Sequence, residues 1–199
     1  MSYAIIGFGN IGQALAKAFA RNGIEVSVAA TRDPASFAFD AATIGPTILP
    51  KTLEEAVKAD TIFLAVRFES HPEVAKMLPS WKGKTIIDAM NTLAPSEELD
   101  GLLSSALVSR AFSGARLVKG FNHLGAGVLA RDPAVNSARR VVFLAGNDDD
   151  AVASVATLAQ RLGFAPVNLG KLEEGGALVH AQDAAWGPLI FQDLFKQEA

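Results

Sequence analysis

The chain has 199 residues, half of them hydrophobic, with no cysteine and a formal charge of −3. That length buries one good core with modest additions; the missing cysteines exclude disulfides, thiolate metal sites, iron–sulfur clusters and cysteine nucleophiles, so redox chemistry here needs a dissociable cofactor. The isoelectric point near 5.6 gives no basic field for nucleic acid, which leaves a small molecule as the expected partner. Apolar runs such as "TIFLAV" and "VVFLA" are strand-sized rather than membrane-sized, and the N-terminus has no basic-then-apolar leader. The expectation is a cytoplasmic protein with no membrane segment.

In chain order, "YAII" reads as a short buried strand and is followed at once by "GFGNIG". The spacing Gly7, Gly9, Gly12 arises in ordinary turns too, so its flanks must decide its meaning. Ile11, Ala14, Leu15, Ala18 and Phe19 fall at helical spacing, with Arg21 in the last turn and Gly23 as a stop. This predicts an amphipathic helix that starts inside the motif. In such a setting Gly7 permits the tight turn, Gly9 lets a pyrophosphate approach the backbone, and Gly12 allows helix to lie on strand. The free N–H groups of the helix start then face the phosphates.

The next strand, "IEVSVAATR", ends in Ala29 and Ala30, then Thr31 and Arg32. An acid there would take the ribose 2′-hydroxyl of NAD; an arginine accommodates the 2′-phosphate of NADP. A guanidinium beside a hydroxyl suits a phosphate dianion, which points to NADP(H), with Asp33 as the neighbour that could blunt the field. "DTIFLAVRFESHPEV" predicts a strand ending at Val66 that delivers its loop to the ligand side of the sheet. Arg67 there either clamps a phosphate or carboxylate, or stands exposed beside Glu69. His71, before Pro72, reads as a surface residue at a helix start.

"TIIDA", "RLVKGF" and "VVFLAG" continue the series of buried strands. After "GND", Asp148 to Asp150 suit a helix N-terminus; Val152, Val155, Ala156, Ala159 and Leu162 make its apolar stripe, and Gly163 ends it. Strands alternating with helices give the α/β class: a doubly wound, mainly parallel Rossmann sheet with helices on both faces and a short C-terminal extension. Residues 1–170 form the dinucleotide-binding domain, and residues 171–199 an extension packing on it or on a dimer partner. The extension carries His180 near Trp186 and an apolar "PLIF", and a homodimer burying it is the expected assembly.

The segments "IIGFGNIGQALA", "VAATR", "IIDAMN" and above all "RLVKGFNHLGAGVLA" followed by "RRVVFLAGND" resemble the NADP-dependent oxidoreductases of the 8-hydroxy-5-deazaflavin coenzyme. They are also similar to the cytoplasmic reductase domain of the STEAP ferric reductases. The resemblance implies hydride transfer between NADPH and a flat, flavin-like acceptor. By motif, Gly7, Gly9, Asn10 and Ile11 would lie along the pyrophosphate, Thr31 and Arg32 at the 2′-phosphate, and Ala65 and Val66 at the inner ribose. Asn91, Asn122 and His123 would approach the nicotinamide or the acceptor. The chain departs from the family pattern at Arg67, where proline is common, and in "NHL" where "NTI" is common.

Hydride transfer between stacked rings asks the protein for orientation rather than for reactive side chains. The chain has no Tyr-x-x-x-Lys pair, no Ser-His-Asp arrangement and no histidine-rich metal motif. His123 is the one candidate proton donor, with packing or capping as its other reading; Lys119, inside a strand, has no evident place. Two alternatives stay open: an NADPH-binding sensor or regulatory module without substantial turnover, and a reductase of small imines or acids.

Overall fold

The computed structural model describes residues 1–92, 99, 101–179 and 193–197. Six short strands run parallel: β1 (Tyr3–Ile6), β2 (Val26–Ala29), β3 (Ile48–Pro50), β4 (Thr61–Leu64), β5 (Thr85–Asp88) and β6 (Arg116–Gly120). Their order in the sheet is β3-β2-β1-β4-β5-β6. The chain therefore reverses its direction of travel between β1 and β4, which opens a crevice at the carboxyl ends of those two strands.

Alternation of side chains builds two cores. Ile5, Phe63, Ile87 and Val118 are register partners across four strands and pack on one face against α1 (Asn10–Arg21) and α7 (Asp149–Arg161). Ala4, Ile62, Ile86 and Leu117 form the matching row on the other face. There they meet α3 (Leu53–Ala56), α4 (His71–Ala75) and α5 (Ser104–Ala111). Being covered on both sides explains why these strands read as continuous apolar runs.

Helix α1 buries Ala14, Leu15, Ala18 and Phe19, as its spacing predicts. Burial of Leu15 and Phe19 stabilises by about 1.5 to 3 kcal/mol each, and Gly23 ends the helix at φ 63°. In α7 the acidic run is a cap: the Asp148 carboxylate accepts from the Ala151 N–H at 2.8 Å, and Asp149 and Asp150 sit in the first turn.

Two expectations are corrected, and one strand went unread. "VVFLAG" lies in β8 (Ala138–Gly146), which runs antiparallel to β6. Between them the chain makes only the one-turn α6 (Ala126–Leu129) and a hairpin from β7 (Ala134–Val135), with Asn136 at φ 55° in its turn. Without a crossover helix to carry it back across the sheet, the chain re-enters from the carboxyl edge. Residues Ala138–Phe143 of β8 run on past the end of β6, and β9 (Ala165–Asn168) follows parallel to β8. His71 is buried rather than on the surface: it falls three residues after the core residue Phe68, stacks on that ring at 4.8 Å and donates from Nδ1 to its carbonyl. β3, too short and proline-ended to read as a strand, forms the sheet edge, where a residue without an N–H is tolerated.

The extension is described in part. Within it α8 (Gly175–Leu178) packs on β8, while α2 (Ala38–Ile44), far outside it in the chain, lies beside α1. β10 (Phe195–Gln197) pairs antiparallel with β8, Phe195 opposite Arg140. Arg140 is buried and held there: Nε meets the Asp193 carboxylate at 2.6 Å, Nη1 donates to the Asp132 carbonyl, and the guanidinium lies 5.0 Å from the Phe195 ring centre. His180, Trp186 and "PLIF" lie outside the described residues. Among the described residues no helix is long and apolar enough to cross a membrane, and no cluster could hold a metal ion.

Candidate functional site

The glycine turn shows three different reasons for its glycines. Gly7 has φ 103°, and a Cβ there would lie 2.4 Å from the Ala65 carbonyl oxygen. At Gly12 a Cβ would lie 1.8 Å from the Gly7 carbonyl oxygen, so helix and turn close on each other only without a side chain. Gly9 is exposed, has φ −88°, and a Cβ there would meet nothing within 4 Å. No contact inside the protein requires Gly9. What it leaves is open backbone at the start of α1, whose first turn has neither a side-chain cap nor an acid. Such a helix start suits a pyrophosphate. Asn10 is exposed beside it, and Ile11 turns half-buried into the crevice.

At the end of β2, Thr31 and Arg32 are exposed. The Arg32 guanidinium stacks over the Phe37 ring, 5.5 Å from its centre, which limits its freedom without neutralising it. Asp33 does not blunt it by pairing: its carboxylate accepts from the Ala35 N–H at 2.8 Å and caps the turn Pro34–Phe37.

A cleft of about 310 Å³ lies where β1, β4, β5 and β6 end. Ala65 and Val66 form one wall, Ala89, Met90 and Asn91 another, and Asn122 to Gly125 the third. The structure thus brings Ile11, Ala65, Val66, Asn91, Asn122 and His123 together around one space. Thr31 and Arg32 stand apart from it at the β2 end, and Arg67 is exposed just beyond the lining, at the start of the turn Phe68–Ser70. Sequence reading missed Met90 and Leu124 because a methionine or leucine after a strand carries no chemical signature.

The third wall is set by a strained residue. Phe121 has φ 64°, unusual for a side chain this bulky. Its ring is wedged between Phe63 at 5.4 Å and Phe164 at 5.8 Å. That packing offsets the strain and turns the chain so that Asn122 and His123 reach the cleft. The two asparagines then lock: Asn91 Nδ2 donates to the Asn122 carbonyl at 2.7 Å, and Asn122 Nδ2 donates to Asn91 Oδ1 at 2.9 Å and to the Val179 carbonyl at 2.7 Å. These donations fix which way the Asn122 amide points, and its buried Oδ1 is left without a partner in the protein.

His123 is buried, with its ring 4.8 Å from that of Phe143 on the β8 overhang. Burial lowers its pKa to about 4; the Val141 backbone and the Asp193 carboxylate pull weakly the other way. Neither ring nitrogen makes a hydrogen bond of acceptable geometry. At neutral pH this is an uncharged imidazole, able to donate or accept one hydrogen bond but not to act as a stored imidazolium acid.

Comparison with known proteins agrees with this geometry. Residues 2–92 match the family model described as NADP oxidoreductase, coenzyme F420-dependent. The rat metalloreductase STEAP3 is 29% identical over 171 residues, covering 84% of this chain and 33% of that protein. The chain spans about one third of the length of the curated relatives it matches. Among solved structures, a hypothetical protein from Sinorhizobium meliloti, SMa0349, is 38% identical with a TM-score of 0.91, covering 99% of this chain and 96% of the other. A putative F420-dependent NADP-reductase from Arthrobacter sp. FB24 is 26% identical with a TM-score of 0.69, covering 90% of each. The resemblance to these NADP-dependent oxidoreductases is thus carried by residues 2–92, which hold the parallel strands β1 to β5, the glycine turn and the arginine after β2.

Proposed function

We propose that this chain moves a hydride between NADP(H) and a deazaflavin or flavin-like acceptor. The carrying observation is the cleft lining: alanines, a methionine, two interlocked amides and one uncharged imidazole, with no charged side chain. A carbonyl or imine acceptor would ask for an acid that gives up its proton to the developing charge, and the neutral His123 imidazole offers an N–H hydrogen bond but no stored acidic proton. A flat conjugated ring asks chiefly to be held parallel to the nicotinamide with reacting carbons about 3 to 3.5 Å apart.

In this reading Gly7, Gly9, Asn10, Ile11 and Gly12 hold the pyrophosphate, with Gly9 giving the close approach. Thr31 and Arg32 hold the 2′-phosphate, and Ala65 and Val66 lie against the inner ribose. Arg67 reaches the dinucleotide from the mouth of the cleft. Asn91 and Asn122 frame the nicotinamide, and His123 donates an N–H to the acceptor. NADPH, when bound, supplies the hydride. Residues 1–170 form the dinucleotide-binding unit and residues 171–199 its extension. A homodimer belongs to the same reading, supported by exposed Val135, Leu178, Leu194 and Phe195; a light-scattering mass of one chain would count against it.

The test is oxidation of NADPH followed by absorbance with a panel of 8-hydroxy-5-deazaflavin, FMN and FAD. Turnover with at least one is expected, and none with any would overturn the enzyme reading. Tight NADPH binding without turnover would instead support a dinucleotide-binding sensor. Arg32→Ala is expected to weaken NADPH binding by roughly 10- to 100-fold, as for loss of a charge-assisted phosphate contact, while leaving NADH binding unchanged. Equal affinity of the wild type for both dinucleotides would remove the assigned role of Arg32.

A further inference from the structure

One buried ion pair lies directly behind the cleft and takes no part in lining it. Asp88 ends β5 and Lys119 is its register partner on β6; both side chains are about 2% exposed or less. Lys119 Nζ donates to Asp88 Oδ2 at 3.1 Å and to the Met90 carbonyl at 2.5 Å. The other carboxylate oxygen, Asp88 Oδ1, accepts from the Met90 N–H at 3.0 Å.

As a stabilising device such a pair is poor, because desolvating two charges consumes most of their attraction and two apolar residues would pack as well. The rows on either side of it are apolar throughout. What apolar residues could not do is grip Met90 by both its N–H and its carbonyl. Met90 lines the cleft, and the next residue, Asn91, is the one that locks Asn122 on the opposite wall. The chain of contacts runs from the ion pair to Met90, to Asn91, to Asn122, and on to the Val179 carbonyl.

We infer that Asp88 and Lys119 are positioning residues: their pair fixes the β5 exit at Met90 and Asn91 and thereby the orientation of the nicotinamide ring in the cleft. This rests on the NADP(H) reading above. The adenine half of the dinucleotide, held at the glycine turn and the β2 end, is outside their reach.

The test compares wild type, Asp88→Asn, Lys119→Met and the double variant Asp88→Leu/Lys119→Met; the last leaves no unpaired buried charge and so keeps the fold available. Two probes are used: NADPH, whose nicotinamide fluorescence reports how firmly the ring is held, and 2′-phospho-ADP-ribose, which lacks that ring. The double variant is expected to bind 2′-phospho-ADP-ribose as the wild type does, to lose the fluorescence enhancement of bound NADPH, and to lose roughly tenfold or more in kcat with any accepted flavin or deazaflavin. Amide exchange at Met90 and Asn91 should accelerate while that of Ile5 and Ile62 in the central sheet stays slow. A folded double variant that keeps the wild-type fluorescence and slow exchange at Met90 would overturn the inference. A wild type that binds neither probe would overturn the NADP(H) reading itself, an outcome distinct from failure of the pair alone.

Discussion

Gly12→Ala is expected to destabilise this protein by about 3 kcal/mol or more, at the top of the range for overpacking, whereas Gly9→Ala should fold normally and fail at binding. At Gly12 the added methyl would sit 1.8 Å from the Gly7 carbonyl oxygen. Both partners are backbone, so no rotamer change relieves the clash. α1 would have to lift off β1, uncovering Leu15 and Phe19. At Gly9 the same methyl meets nothing and the backbone angles suit any residue, so stability should change by within about 1 kcal/mol. In the proposed site that methyl would meet the pyrophosphate, and NADPH affinity should fall by roughly 10- to 100-fold. Urea unfolding and fluorescence titration of the two variants check this. A stable Gly12→Ala protein, or a Gly9→Ala protein with wild-type affinity, would contradict it.

Acid should destabilise the protein through His123. Its folded pKa of about 4 lies below the unfolded value of 6.5, so the unfolded chain takes up the proton first. The stability contributed by the neutral ring is therefore complete above pH 6.5, is lost as pH falls from 6.5 toward 4, and changes no further below that. The total loss is about 3 kcal/mol. His123→Phe, which keeps a ring against Phe143, should remove this part of the pH dependence. Asp60, held low chiefly by the Ser2 N–H, and Glu55, held low chiefly by the Thr52 N–H, lose their contributions in more acidic solution. Both variants share that effect, so the difference between wild type and His123→Phe in urea unfolding from pH 7.5 to 4.5 isolates the imidazole. Parallel stability curves would show that the ring titrates normally.

Several features were legible because they are local. The turn at Gly7 to Gly12, the stripe of α1 and the acidic cap of α7 each depend on residues a few positions apart, where the 3.6 period and capping chemistry act. The arginine after β2 is likewise read from one strand end. Lys119 inside "RLVKGF" and Asp88 inside "TIIDAM" carried a usable signal, since a charge within an apolar strand needs a counter-ion. Pairing them requires knowing that β5 and β6 are neighbours.

The sequence by itself determined the doubly wound class and the glycine turn, because burial on both sheet faces and helical spacing are imprinted on short stretches. Tertiary structure alone decided the direction of β8, the burial of His71, the placement of Arg67 beyond the cleft lining, the positive φ of Phe121 and the grip of Asp88 and Lys119 on Met90. Apart from His71, whose partner Phe68 is three residues away, these depend on segments distant in the chain meeting at the carboxyl edge of the sheet. There burial and neighbouring dipoles, rather than residue type, set whether a group is charged, strained or free.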